Sequence, residues 1–482
     1  MSGFIQGIDR QQETLFPESL DDYIGEFNSV RVIDLFIDSL KLINLGFITI
    51  PSHTGRPGYH PSALLKLYVY GYLNRIQSSR RLERETHRNV ELMWLLGRLT
   101  PDFKTIADFR KDNGEAIKEV CREFVLLTKR LGLLGDCVAV DGSKFKAVNN
   151  ADRAFSKAKI ERRRQKIDES IDDYLDEIKR ADRLNTKESR NKKAHLKKRL
   201  AKVREEAKRL EFLEQELLET PDKQISQTDP DARIMATRGR SSVMVGYNVQ
   251  TAVDAENHLI VEHEVTNVGN DRSQLSNMAK RANDILGCDN LCVLADKGYY
   301  KGEEILACSE VGITTYLPRT KTSNNRAAGL YDRSEFIYDA EKDAYICPAN
   351  QILSKRHRSI EGGKEIDTYY ASIPVCRECP QKEHCTTGVN RRVRRWEHEQ
   401  VLDELDARMA NEPMRMQTRR STVEHPFGTI KHWMGHTHFQ MKTMARVSTE
   451  MSLHVLSYNL KRVMSIIGIK RLIDEISSGS YA

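Results

Sequence analysis

The chain has 482 residues, of which 39% are hydrophobic and 30% charged, and its formal net charge is +7. That length predicts two to four domains, and aliphatic runs recurring along it exclude intrinsic disorder as the main class. No stretch approaches the roughly 20 uninterrupted apolar residues of a spanning helix, and the first residues carry neither a basic nor an apolar leader segment. Nine cysteines are too sparse for a disulfide scaffold and point to reduced thiols or metal ligands. A soluble, cytoplasmic protein is expected.

Residues 1–134 read as a helical domain. Pro61 and Ser62 open a run to Leu73 that is apolar on all sides, as in a buried helix. An arginine-rich stretch, Gln77 to Asn89, follows it. Thr100-Pro101-Asp102 before Phe103, Ile106 and Phe109 reads as the capped start of another helix. The basic face of this domain either enters a DNA groove, as a helix-turn-helix variant, or packs on the next domain.

After Gly135 the pattern changes to buried strands. Cys137-Val138-Ala139-Val140 runs into Asp141-Gly142-Ser143, and Gly246 to Asp254 pairs with Leu259 to Val265 as a hairpin. A helix from Ser273 to Leu286 leads to the strand Leu291 to Ala295, which ends in Asp296. A second helix, Gly302 to Glu310, leads to the strand Ile313 to Leu317. Strands alternating with helices predict an α/β domain over 135–156, 221–330 and 396–475, closed by an apolar stripe (Leu453, Leu456, Leu460, Val463) that packs the last helix on the sheet.

Two insertions interrupt that domain. Over 157–220, Ile160, Ile167, Ile171, Tyr174 and Ile178 face Leu196, Leu200, Val203, Ala207, Leu210 and Leu217, which predicts a coiled antiparallel helical hairpin. Ala151 to Thr220 holds 21 Lys/Arg against 16 Asp/Glu, so five of the seven net charges lie there. Its exterior either tracks phosphates or is a solvated coiled-coil face. The second insertion, 331–395, is Cys-rich.

Asp141 and Asp296 each stand at the end of a buried apolar run, where α/β sheets place their chemistry; alone, either would be a turn or cap aspartate. A third element changes the balance. Arg420, Glu424 and Lys431 are spaced i, i+4, i+11, sharing one helix face beside Val423, Phe427 and Ile430, with Pro426 tolerated in the first turn of a helix starting near Thr422.

These residues resemble the DDE-type transposases of bacterial insertion sequences. The resemblance rests on Asp141, on Asp296 in "LADKGYY", and on "RRSTVEHPFGTIKHW", which matches the family's R-x3-E-x6-K signature at Arg420, Glu424 and Lys431. The Tyr usually found three positions before that Arg is Gln417 here. The resemblance implies a ribonuclease-H-like mixed sheet behind an N-terminal helical DNA-binding domain. It also implies cutting at inverted-repeat ends, joining of a 3′-hydroxyl to target DNA, and a homo-oligomer assembled on double-stranded DNA in the cytoplasm. In-line attack on a phosphodiester suits two Mg²⁺ (or Mn²⁺) ions, and hard cations take oxygen ligands, so Asp141, Asp296 and Glu424 are the expected metal ligands. Arg420 and Lys431 would flank the phosphate path. Arg238 and Arg240 are phosphate contacts or part of a solvated loop, and Lys144 is a further phosphate contact or a surface residue. A DNA-binding regulator that has lost cleavage predicts a broken triad, whereas all three acids are present; a stand-alone metal-dependent nuclease is separated only by a strand-transfer assay.

Cys347, Cys376, Cys379 and Cys385 fall within 39 residues, with one tight Cys-x2-Cys pair. Four thiolates suit a structural zinc, the same count suits an iron–sulfur cluster, and free thiols are the alternative. Cys121, Cys137, Cys288, Cys292 and Cys308 read as core. His425, His432, His436 and His438 read as DNA-facing or structural rather than as metal ligands, and Trp396 and Trp433 as core or interface.

Overall fold

The computed structural model describes residues 19–50, 57–149, 153–184, 186–220, 222–237, 243–320 and 324–478. At the front, α1 (Ser29–Asp38), α2 (Pro61–Leu73), α3 (Ser79–Thr86), α4 (Val90–Leu95), α5 (Phe103–Asp112) and α6 (Gly114–Arg130) surround one core. Helix α2 is its axis. Its apolar residues lie on all sides, broken only by Ser62 near its start and by the buried Lys66, which pairs with Asp34 and Asp38, and Tyr68 and Tyr72 are fully buried. The Asp102 carboxylate accepts the backbone N–H groups of Lys104 and Thr105 at 2.9 and 3.0 Å, which fixes the start of α5.

Strand β1 (Cys137–Lys146) opens the α/β part. The chain then leaves it through β2 (Ala154–Ser156), α7 (Lys157–Leu184), α8 (Lys187–Glu219) and β3 (Gln224–Ser226). Helices α7 and α8 are the expected hairpin: Ile160, Ile167, Leu210, Leu213 and Leu217 form its seam. The cross-helix ion pairs Arg163–Glu206 and Glu177–Lys192 run in opposite chain directions, as antiparallel helices require.

The chain returns as β4 (Arg233–Ala236), β5 (Val243–Asp254) and β6 (Ile260–Thr266), then α9 (Leu275–Leu286), β7 (Cys292–Leu294), α10 (Gly302–Ser309) and β8 (Thr314–Tyr316). The sheet runs β5-β1-β7-β8, with β4 and β6 sharing the outer edge of β5. Strand β1 is antiparallel to β5 and parallel to β7, and β7 is parallel to β8. A hairpin-linked antiparallel part joined through β1 to a parallel part is the ribonuclease-H-like arrangement expected. Gly246 is required where β5 meets β1: a Cβ there would lie 2.1 Å from the Phe145 carbonyl oxygen.

Residues 331–395, the Cys-rich insertion, fold around a second sheet. Strands β9 (Ile337–Asp339), β10 (Ala344–Ile346), β11 (Ile352–Glu361), β12 (Lys364–Tyr370) and β13 (Val393–Trp396) are antiparallel neighbours, with α11 (Ile373–Arg377) and α12 (Lys382–Cys385) between the last two. The chain then forms α13 (Glu399–Asn411), α14 (Arg415–Gly428), a π-helical turn over Thr429–Trp433, α15 (Met444–Ile467) and α16 (Ile469–Ser477).

Three expectations are corrected here. Asp141 is not at a strand end: β1 continues five residues past it because the long β5 keeps pairing with it as far as Lys146. Helix α14 begins at Arg415, seven residues before Thr422, so Pro426 lies near its end. The N–H that proline lacks is lost just before the π turn, where the Thr429 N–H is shared between the His425 and Pro426 carbonyls. The stripe Leu453, Leu456, Leu460 and Val463 packs α15 into the N-terminal helical core; Val447, Met451, Val455 and Tyr458 on its other side meet the sheet. Helix α15 therefore joins the two cores.

Candidate active site

Parallel pairing of β1 with β7 ends at Ala139 opposite Leu294. Asp141 and Asp296 each lie two residues beyond that last pair, so the backbone register sets the two acids side by side. Helix α14 crosses this point. Its Val423 packs with Ala139, Leu294 and Tyr316, and Arg419, one turn earlier, projects between the acids. Arg419 Nη2 donates to Asp141 Oδ1 at 2.9 Å and stands 4.0 Å from Asp296 Oδ2. The other Asp296 oxygen accepts the Gly298 N–H at 2.7 Å, which holds the turn after β7.

The electrostatics follow from this crowding. Burial pushes the Asp141 carboxyl up to about 6; Arg419 and the Gly142 N–H oppose that shift, while Asp296 and Asp271 add to it. Asp271 is held by Asn248 and Gln250, whose side-chain amides donate to one of its oxygens at 2.8 and 2.7 Å. Gln250 in turn accepts the hydroxyl of the buried Tyr299 at 2.5 Å. Gly142 makes room for this network: a Cβ there would lie 2.3 Å from Gln250 Nε2 and 2.7 Å from Asp271 Oδ1. Two adjacent carboxylates, one with a raised pKa and a guanidinium between them, form a donor set that fits a hard divalent cation, with Arg419 supplying positive charge at that place.

The remaining predicted residues are distributed as follows. Glu424 is exposed on α14, five residues beyond Arg419, and makes no hydrogen bond or ion pair among the described residues. Lys431 Nζ donates to Ser143 Oγ at 2.6 Å and to the Lys144 carbonyl at 3.0 Å, and lies over the Phe145 ring. Arg419 and Lys431 thus touch β1 at Asp141 and Ser143, residues on one face of the strand, and Glu424 lies between them along the helix. Arg420 is exposed, and it is Arg419 that meets the acids. Lys144 is tied to the Ala236 carbonyl on β4. Arg238 and Arg240 lie outside the described residues. Sequence reasoning missed Arg419, Asp271 and Gln250; the available signal was that Arg419 is one helical turn from the apolar Val423, on the side that must face the sheet.

Beside the sheet edge, a cleft of about 1060 Å³ separates β5 from the root of α7. Lys146, Lys159, Arg162, Arg163 and Lys166 line it, with Glu169 as the opposing charge.

Cys347, Cys376, Cys379 and Cys385 converge on a small cavity of about 30 Å³ beneath α11 and α12. Burial raises the Cys385 thiol pKa; Arg391 opposes this and the other three thiols reinforce it. The Gln351 N–H donates to Cys347 Sγ at 3.3 Å. All nine cysteines are free thiols. Cys121 and Cys308 are buried, whereas Cys137, Cys288 and Cys292 are half-buried. Trp396 is core, but Trp433 is exposed.

Among the described residues, one group of metal-binding side chains has all its ligand atoms within 4.8 Å of one another: His436, Glu450 and His454. Neither the acids nor the cysteines meet that span. Of the two readings of His436, DNA-facing or structural, the structure favours the structural one, because the side chain is completely buried. His432 and His438 are exposed, and His425 shares a 2.8 Å hydrogen bond with the Tyr458 hydroxyl. Among the described residues no helix is long and apolar enough to cross a membrane.

Comparison with known proteins yields two family matches. Residues 18–112 match a transposase domain (DUF772), and residues 346–464 match a transposase DDE domain. The second match contains Glu424 and Lys431. No curated protein sequence matches the chain. Among solved structures, a cryo-EM structure of the piggyBac transposase synaptic complex with hairpin DNA is similar at a TM-score of 0.30 and 8% identity, over 95% of this chain and 82% of that one.

Proposed function

From the premise that this chain is a DDE-type transposase, we propose that it cuts DNA at the inverted-repeat ends of its element and joins the freed 3′-hydroxyl to target DNA. The observation that carries this reading is the placement of Asp141 and Asp296 side by side, each two residues past the last β1–β7 pair, with Arg419 of α14 between them and Lys431 of the following π turn bonded to Ser143. Asp141, Asp296 and Glu424 would hold two Mg²⁺ or Mn²⁺ ions, which when bound activate the attacking oxygen and stabilise the leaving one. Glu424, exposed on α14 and without a side-chain partner among the described residues, would have to turn toward the two aspartates to complete the set. Arg419 balances their charge and must share or yield its place as a cation enters. Lys431, pinned to Ser143, and Arg420, exposed on the same helix, present positive charge to a phosphate approaching along β1. The basic cleft at the root of α7 extends that path and would carry flanking double-stranded DNA by phosphate contacts.

We divide the chain accordingly into a DNA-binding helical domain (1–134), a catalytic domain (135–156, 221–330 and 396–475), the hairpin (157–220) and the Cys-rich insertion (331–395). Two ends must be brought together, so a homo-oligomer on DNA is part of the proposal. The test is incubation of purified protein with Mg²⁺, DNA carrying the element's own ends, and a target plasmid. Joined product supports transposition; cleavage without joining would favour a nuclease, and binding without cleavage a regulator.

The raised Asp141 pKa gives this site a pH dependence. The native state holds a proton that the unfolded state would release between its ordinary value of 3.8 and about 6. The group's contribution to stability is therefore fully present below 3.8 and is lost as pH rises through about 6. Metal must displace the same proton. Mn²⁺ affinity measured by calorimetry should fall about tenfold per pH unit below 6 and level off above it; a flat profile from pH 5 to 7 would contradict the assignment.

The four cysteines form, on this reading, a structural zinc site that closes the β9–β13 sheet. Cys376→Ser should lower bound zinc by one equivalent per chain and lower the melting temperature. Unchanged zinc content would leave the cysteines as free thiols.

A further inference from the structure

Helix α15 and the segment between the π turn and α15 bury three polar side chains against the helical core. His436, Glu450 and His454 are all completely inaccessible to solvent. Both nitrogens of both imidazoles lack a hydrogen-bond partner, which leaves four orphaned buried ring nitrogens. Buried polar groups are almost always satisfied by protein, by water or by a metal, so a cluster of four orphans calls for a missing partner. The Glu450 carboxylate makes the same demand. It accepts the backbone N–H groups of Gln440 and Met441 at 2.9–3.0 Å, and among the described residues its only ion-pair contact is His436 at 4.0 Å. Arg110 is near, but its Nη1 is turned to the Tyr72 hydroxyl at 2.7 Å.

The geometry draws these groups to one point. The two imidazole rings lie with centroids 3.7 Å apart, His436 Nδ1 is 4.0 Å from Glu450 Oε1, and all three ligand atoms fall within 4.8 Å of one another. Glu450 and His454 are i, i+4 on α15, which places them on one helix face as a bidentate pair. His436 closes the set from the other side, held by its own N–H to the Ile430 carbonyl at 3.0 Å and by packing on Phe145 and Phe439.

We propose that His436, Glu450 and His454 form a buried zinc site, separate from the acidic site and from the cysteines, that fastens the segment after Lys431 to α15. Two imidazoles and one carboxylate form a donor set that zinc accepts and magnesium does not favour. An ion at about 2.0–2.1 Å from the imidazole nitrogens would satisfy one orphan on each ring and neutralise Glu450. Because Tyr72 of α2 packs edge-on against His454, the ion would also sit at the seam between the helical core and the sheet. Its role would be to hold in place the turn that carries Lys431.

The test uses the full-length wild-type protein, its zinc content and zinc-edge X-ray absorption. An imidazole signature in the zinc shell is expected, alongside sulfur if the cysteine site is filled. Cys376→Ser/Cys379→Ser should retain one equivalent of zinc with a purely nitrogen and oxygen shell, whereas His436→Ala/His454→Ala should lose one equivalent and the imidazole signal. A wild-type zinc shell without imidazole would overturn the proposal whether or not either variant folds. So would a folded histidine variant with wild-type zinc content and imidazole signal. A zinc shell of imidazole without sulfur would support this site and reject the cysteine one.

Discussion

Asp141→Asn should abolish DNA cleavage, lowering the rate by about 10³-fold or more, while leaving the protein folded. The amide keeps the size of the carboxylate and one oxygen in the same place, so the strand and its pairing with Thr251 are undisturbed. What it removes is the negative charge that holds a cation. The cost to stability should be small, because that charge is opposed by burial and by Asp296 in the metal-free protein. Arg419 can still donate to the amide oxygen and keeps Asp296 within 4.0 Å. A cleavage assay paired with a melting curve checks both halves: lost activity together with a collapsed melting transition would point to a structural role instead. Asp296→Asn should behave alike in activity. The turn after β7 should survive, since the amide oxygen can still accept the Gly298 N–H.

The second large effect is on stability. Phe145→Ala should destabilise the α/β domain by about 3–5 kcal/mol, read as a lower urea midpoint. The ring is completely buried, with ring centroids of Phe439 at 5.7 Å and Phe427 at 6.2 Å, and it joins β1 to α14 and to the segment before α15. The Lys431 ammonium lies 4.4 Å from the same ring centroid, so the cavity would also loosen the residue set to meet phosphate. Joining should therefore fall with stability. Phe145→Leu, which conserves more of the volume, should cost less in both. An unchanged midpoint for the alanine variant would contradict the packing described.

Much of this architecture was legible in the sequence where local pattern and burial agree. Helix α2 carries apolar residues on all sides and is buried along most of its length. The seam of α7 and α8 repeats at helical spacing and packs as such. The two aspartates follow apolar runs and meet in the sheet. Where partners far along the chain decide the outcome, the sequence was silent or misleading. Asp141 lies mid-strand because β5, a hundred residues later, is long enough to extend β1 beyond it. Arg419 rather than Arg420 meets the acids because the rotation of α14 is set by Val423 sinking against Ala139 and Leu294. Pro426 suggested a helix start, yet it lies where the helix gives way to a π turn. The β9–β13 sheet was hidden because its longest strand, β11, carries mostly exposed polar residues with little alternation. His436 and His454 come together only through the packing of α15 on the loop before it, which no spacing along the chain reveals.

The central claim is that Asp141, Asp296 and Glu424 jointly hold the catalytic ions. Its most direct measurement is Mn²⁺ binding by electron paramagnetic resonance, with the wild-type protein on DNA carrying the element's ends and with Asp141→Asn, Asp296→Asn and Glu424→Gln. Two coupled Mn²⁺ ions in the wild type, and loss of that coupled signal in each variant, are predicted. Retention of the coupled pair in any of the three variants would contradict the assignment of that residue. Its retention in all three would place the ions elsewhere.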